Sequence, residues 1–238
     1  SMSDLFHSAV PWDFIGQVFD VMMSCPQHTF QVLTKRPGRM AFWAEQMAMV
    51  CRERGLPWDW PPNVWSGTSV ESQKYAPRLD CLARVPAPVR FVSVEPMLGS
   101  VNLRRWLYPG EGKSLAAMMA TLSWVICGGE SGPSARPTHP DWVRDLQVQC
   151  QAAGVPFFFK QWGTWMPDEV FIEDDRLPEK VDSPLAYLEE TGALHAFGGG
   201  HPLGRMVNCV LVHKTGKKAA GARLDGREWR EIPPVGGS

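Results

Sequence analysis

No apolar stretch in this chain of 238 residues approaches the roughly 18 residues that a membrane-spanning helix requires. The N-terminus also lacks the basic, apolar and cleavage regions of a signal peptide. A cytoplasmic location is therefore expected. Charge of one sign is missing as well. The net charge is -1, which gives no general pull toward nucleic acid or a membrane surface. Clustered cysteine is also lacking: Cys25, Cys51, Cys81, Cys127, Cys150 and Cys209 stand far apart, with no Cys-x-x-Cys pair and no Cys/His ligand spacing. They read as buried or half-buried thiols in a reducing compartment. Neither a Gly-x-Ser-x-Gly elbow nor a His-Glu-x-x-His pair occurs, so serine-hydrolase and zincin chemistry lose support. Gly112-Lys113-Ser114 ends like a phosphate-binding loop, but Leu107 stands where its first glycine belongs. That match is fortuitous.

What the chain does have is a core. Hydrophobic residues make up 44% and charged residues 21%, ordinary for a globular protein and sufficient for one α/β domain. Five short β-rich runs each end in polar or charged residues: Phe30 to Arg36, Val64 to Glu71, Val89 to Pro96, Trp124 to Glu130 and Pro156 to Trp162. Helix-like or loop sequence follows each. Pro11 opens a helix with Phe14, Ile15, Val18, Val21 and Met22 at helical spacing, and Met40, Trp43, Met47, Val50 and Cys51 form a second apolar stripe. Tyr75, Leu79 and Leu82 mark a third helix, and a short one is expected over Ser114 to Thr121. Trp142, Leu146, Cys150 and Ala153 mark another, with Gly154 as its C-cap.

Strands alternating with helices imply a parallel sheet. Five full strands cannot close an eight-stranded barrel, so the expected fold is α/β: a partial, open TIM-like βα barrel over residues 1–165. An irregular excursion is expected over 166–205, then a strand and small hairpin over 206–238, turning at Leu224-Asp225-Gly226-Arg227. The opening Ser1 to His7 reads as the exit loop of a strand, which suggests that a βα portion precedes this sequence.

Chemistry in such sheets collects at the carboxyl ends of the strands. Glu71 and Glu95 end neighbouring strands about 4.8 Å apart and can share one pocket, where two carboxylates bind a metal, divide into acid and base, or hold an ammonium group. Glu71 also suits the first turn of a helix. Gly128 and Gly129 let a ligand approach backbone amides, with Glu130 as a point charge and Ser131 beside it; an ordinary turn explains the same residues. Lys35, Lys160 and Gln161 suit a carboxylate or phosphate, and Asp4 is a further candidate. Arg36 suits the same anions or plain solvation as a loop charge, and His7 and His28 read as loop histidines. Trp162 and Trp165 follow a strand end and can line a pocket. Lys214, Lys217, Lys218, Arg223, Arg227 and Arg230 form a basic tail suited to phosphates or to plain solvation.

Taken together, Ser1 to His7, Thr29 to Pro37, Asn63 to Glu71, Arg90 to Leu98, Trp124 to Pro137, Val155 to Trp162 and Gly216 to Trp229 resemble a phage- and prophage-associated family. It is largely of unknown function and is distinguished by an N-terminal three-cysteine motif like that of radical S-adenosylmethionine enzymes. The resemblance implies a [4Fe–4S] cluster and S-adenosylmethionine in the full-length family, with Asp4, Lys35, Ser69, Glu71, Glu95, Glu130, Lys160 and Gln161 at the barrel mouth. It also implies a nucleic acid or peptide substrate, or a phage-encoded protein partner. The three-cysteine motif is absent from this sequence, and none of its six cysteines replaces it, because cluster ligation needs closely grouped thiolates. No cluster is expected in this chain. Two other readings stand beside this one: a divalent-metal hydrolase or nuclease with Asp4, Glu71, Glu95 and Glu130 as ligands, and a non-catalytic phage binding module.

Overall fold

The structure, a computed structural model, describes residues 3–108, 122–169, 185–196 and 209–234. The expected helix over Ser114 to Thr121 lies outside the described residues. Helix α1 (Trp12–Met23) leads into β1 (Phe30–Thr34), α2 (Pro37–Glu53), β2 (Val64–Ser69), α3 (Arg78–Leu82) and β3 (Arg90–Val94). There follow α4 (Arg104–Leu107), β4 (Trp124–Gly128), α5 (Pro140–Ala153) and β5 (Phe157–Gln161). The five strands form one sheet in the order β1-β2-β3-β4-β5, every pair parallel. The fold is α/β, and it is a partial, open TIM-like barrel.

Period-two alternation divides each strand between two faces. Val32, Val64, Val92, Val125, Phe157 and Phe159 pack beneath the helices in the main core, with Ile15, Phe19, Met40, Trp43, Leu79, Trp142 and Leu146. The predicted stripes of α2 and α5 supply Met40, Trp43, Trp142 and Leu146, and Leu79 comes from α3; on α1, Ile15 and Met22 are buried as expected, but Phe14 and Val21 are exposed and Phe19 packs inward instead. Gly154 ends α5 at φ 66°, in the left-handed conformation that closes a helix.

The opposite face carries Trp65, Phe91 and Trp124, with Leu33, Ile126 and Phe158 packed against them. Trp124 meets Trp65 at 6.0 Å, Phe91 at 5.8 Å and Phe158 at 6.0 Å between ring centroids. Each contact adds about 1 kcal/mol beyond the buried area. An open barrel has no opposing strands to fill its interior, so these large rings fill it from one side. Phe91 reaches across β2 only because Gly67 has no side chain: a Cβ there would lie 2.3 Å from the Phe91 ring.

The segment between β5 and the tail departs from expectation. The excursion expected to be irregular contains sheet: β6 (Trp165–Pro167), β7 (Leu185–Glu189) and β8 (Leu194–Ala196) join β9 (Cys209–Lys214) in the antiparallel order β6-β9-β7-β8. Ala186 and Leu188 of β7 turn inward onto Trp165 and Val212. Two inward residues make too short a pattern to read from sequence. The short helix α6 (Lys217–Ala220) follows, then the hairpin β10 (Arg223–Leu224) and β11 (Arg227–Glu228) around Asp225-Gly226. Beyond it the tail runs antiparallel beside β5: Phe159 N–H donates to Trp229 O (2.9 Å), and Glu231 N–H donates to Phe157 O (3.2 Å).

Trp162 and Trp165, expected as candidate pocket residues, are both buried. Trp162 is fully buried and donates its indole N–H to Arg223 O at 2.7 Å; Trp165 donates to Ala135 O at 2.7 Å. Both are packing residues whose polar atom is satisfied by backbone. All six cysteines are free thiols. No helix among the described residues is long and apolar enough to cross a membrane.

Candidate functional site

The alternation that points Leu33, Trp65, Phe91, Ile126 and Phe158 into the barrel continues along each strand. Two or four residues on, the same face presents Lys35, Ser69, Ser93 and Glu95, Gly128 and Glu130, and Lys160. The register supports this layering, with Leu33 opposite Gly67, Ser69 opposite Ser93, Ser93 opposite Ile126 and Ile126 opposite Phe158. An aromatic floor therefore gives way to a polar rim at the carboxyl ends.

That rim encloses a cleft of about 1060 Å³. Of the expected residues, Asp4, Lys35, Ser69, Glu95, Gly129, Glu130, Ser131, Lys160 and Gln161 line it. Glu71 and Gly128 do not. Glu71 is 7% exposed and is turned into an ion pair with Lys35 and with Arg78 Nη1 (2.9 Å). It is therefore neither a helix cap nor a wall of the cleft. Gly128 sits behind Glu95, whose carboxyl carbon lies 3.4 Å from the position of its missing Cβ.

Arg36, a candidate beside Lys35, lines the cleft too, and the residues not anticipated there are Ser3, His7, Val10, Leu33, Thr34, Ser93, Pro96 and Lys217. Arg36 is no solvated loop charge, since its Nη1 donates to Asp4 Oδ2 at 3.0 Å. His7 is brought in by the loop that carries Asp4. Ser93 was legible in principle, because it stands two residues before Glu95 on the same face.

Each carboxylate at the rim has a cation. Asp4 accepts from Thr34 Oγ1 (2.6 Å), Lys35 N (3.2 Å) and Phe6 N (3.0 Å) as well as from Arg36. Burial pushes the Asp4 carboxyl up, but those four donors outweigh it and hold it below the ordinary carboxylate range. Burial likewise raises Glu71, and the hydrogen bond and charge of Lys35 with the charge of Arg78 bring it below its usual value. Glu130 is held low by the bidentate Arg136 guanidinium, with Nε at 2.8 Å and Nη2 at 2.7 Å. Glu95 meets Lys160 Nζ at 2.9 Å, and the Gln161 amide reaches Ser131 Oγ at 3.2 Å.

Two glycines lock the loops after β4 and β5 together. A Cβ on Gly129 would fall 1.9 Å from Trp162 O, and one on Gly163 2.1 Å from Glu130 O. Gly163 also holds φ 85°, which favours glycine. Gly129 N–H donates to Gln161 O at 2.8 Å, and Thr164 N–H to Glu130 O at 2.8 Å. The glycine pair thus serves close backbone packing as much as ligand access.

The cysteines do not gather at this cleft. Cys127 is buried beneath β4 with its Sγ 3.5 Å from Met97 Sδ, and burial raises its thiol well above the usual value. Cys150 is pushed up to about 12 by burial. Among the described residues no three His, Cys, Asp or Glu side chains are placed to hold a metal ion. The described thiols therefore do not fit a [4Fe–4S] cluster, which needs grouped thiolates.

A parallel βα sheet with a charged cleft at its carboxyl ends defines an α/β protein of the open-barrel type with a candidate site there. The model of the family described as "Protein of unknown function (DUF5131)" matches residues 1–233, and the chain belongs to that family. No curated protein and no solved structure matches the chain.

Proposed function

We propose that this chain is the ligand-binding βα core of a radical-S-adenosylmethionine-type protein of phage origin, acting in the cytoplasm, whose cleft receives the amino-acid end of S-adenosylmethionine. The observation that carries this is the pairing of charges along the rim. An α-amino acid brings an ammonium and a carboxylate on one carbon. It can open a pair such as Glu95–Lys160, separated by 2.9 Å, and leave neither side chain without a partner. A ligand of one charge would leave one of them without its charged hydrogen-bond partner. The hydroxyls of Ser69 and Ser93, which line the cleft, offer donors and acceptors for a ribose.

S-adenosylmethionine supplies, when bound, a sulfonium activated for group transfer or cleavage. What these residues contribute is binding and orientation: Glu95 for the ammonium, Lys160 for the carboxylate, and the Gly129 loop fixing one wall. The cluster that the family resemblance implies has no ligands among the described residues, so no step is assigned to it. A divalent-cation hydrolase is less well supported, because Asp4, Glu71, Glu95 and Glu130 are each already engaged by Lys or Arg.

Calorimetric titration with S-adenosylmethionine tests the reading. Saturable binding is expected, weakened about tenfold or more in Glu95→Gln and in Lys160→Met, as for loss of a charged hydrogen bond. No binding at millimolar ligand to protein shown to be folded by circular dichroism would overturn it. So would binding indifferent to both substitutions.

A further inference from the structure

Three of the four cations lining the cleft are already neutralised: Lys35 by Glu71, Arg36 by Asp4 and Lys160 by Glu95. The remaining one, Lys217, forms no ion pair or hydrogen bond among the described residues. It does not belong to the barrel. It arrives from the far end of the chain, at the start of α6, after the small antiparallel sheet has been completed.

The segment that carries Lys217 is fastened at both ends to the cleft wall. Before it, Thr215 N–H and Gly216 N–H both donate to Thr164 O, at 3.1 and 3.0 Å. Thr164 in turn is bound to the β4 loop, through its own N–H to Glu130 O (2.8 Å) and through its hydroxyl, which accepts from Gly132 N–H at 3.0 Å. Gly216 holds φ 88°, so the chain turns sharply at that point. After it, Gly221 O accepts from Trp162 N–H at 3.1 Å. A lysine on a free surface is normally just solvated. Lys217 is also exposed, but it is anchored by two backbone fastenings and lines a concavity whose other lining cations are each paired with a carboxylate, so its charge is left over.

We propose that Lys217 is the recognition residue for an oxyanion, a phosphate or carboxylate, carried by a second ligand in the cleft. This inference rests on the cleft being a ligand site, as argued above. The amino-acid end of the first ligand is complementary to an existing ion pair and needs no extra cation. The unbalanced charge of Lys217 is therefore available to the co-substrate. The division of labour follows the chain: the barrel holds the zwitterion, and the C-terminal segment selects the anion.

The test uses the folded chain with lysine labelled at Cε, titrated with inorganic phosphate and separately with acetate. Resonances are followed by NMR, and Lys217 is assigned by its loss in Lys217→Met. A saturable shift of the Lys217 signal is expected, with phosphate and acetate affinities ranking the two sources of the anion. Lys217→Met should weaken that binding about tenfold, and Lys217→Arg should largely restore it. S-adenosylmethionine affinity should be unchanged in Lys217→Met. If S-adenosylmethionine binds but no oxyanion moves the Lys217 signal, this inference fails while the functional reading survives. If Lys217→Met abolishes S-adenosylmethionine binding, Lys217 serves the first ligand and the proposal is overturned. If the wild-type protein binds neither, both fall.

Discussion

Along β5 the sheet is continued by the chain's own tail, whereas β1 has a strand neighbour on one side only among the described residues. At β5, Trp229 and Glu231 take up the outward backbone groups of Phe157 and Phe159, and the Glu231 carboxylate accepts from Phe157 N–H at 2.9 Å. Arg230 adds its guanidinium over the Phe158 ring, 4.9 Å from the centroid. At β1 the bonds of Phe30 and Thr34 run toward β2, so alternation turns Gln31 and Leu33 toward the open side. Only the carboxyl end of that side is covered, where Asp4 accepts from Lys35 N–H. One edge is thus finished by backbone pairing. The other is closed by a single side chain at the cleft, and that side chain also orders Arg36. The difference teaches that the cleft's two walls are held by different means: the β5 wall by a ladder and locked glycines, the β1 wall by one half-buried carboxylate.

The largest effect should come from breaking the finished edge. Glu231→Pro removes both the N–H that Phe157 O accepts from and the carboxylate that receives Phe157 N–H. A loss of about 3 kcal/mol in denaturant unfolding is expected; a loss under about 1 kcal/mol would show that the tail is not part of the folded sheet.

Asp4→Asn should cost less, about 1–2 kcal/mol, because the Arg36 partner is half exposed and solvent screens the pair. It should also alter acid behaviour. Folding holds Asp4 and Glu71 below their ordinary values of 3.8 and 4.5. Their stabilisation is therefore complete above those values and is lost as pH falls through the depressed ones. Stability measured between pH 5 and about pH 2 should fall less steeply in the variant than in the parent. An identical slope would remove Asp4 from that account.

The smallest effect is expected at the open edge. Gln31→Pro deletes an N–H that faces away from β2, which edge strands tolerate, so a change of about 1 kcal/mol or less should appear in the same unfolding measurement. A loss as large as that of Glu231→Pro would mean that β1 is paired in solution on its outer side.

Much of the fold was legible because it is local. The five runs ending in polar residues are the five parallel strands, and the stripes of α2 and α5 face the core, since periodicity decides which side of a strand or helix is apolar; of the α1 stripe, Phe14 and Val21 are exposed instead. Period two also put Lys35, Ser69, Glu95, Glu130 and Lys160 on one inner face. The strands of residues 185–196 were not legible, because a sheet with only Ala186 and Leu188 turned inward on β7 leaves too short a pattern. Trp162 reads as a pocket residue until the hairpin that buries it is in place.

By itself the sequence determined the parallel βα order, the aromatic floor and the band of polar residues above it, because each depends on spacing within one strand or helix. Only the tertiary structure decided which charges meet: Lys160 with Glu95, Lys35 with Glu71, Arg36 with Asp4. It alone brought Ser3, His7 and Lys217 to the cleft. An ion pair depends on where two distant elements come to rest, and nothing in the periodicity of either element records the position of the other.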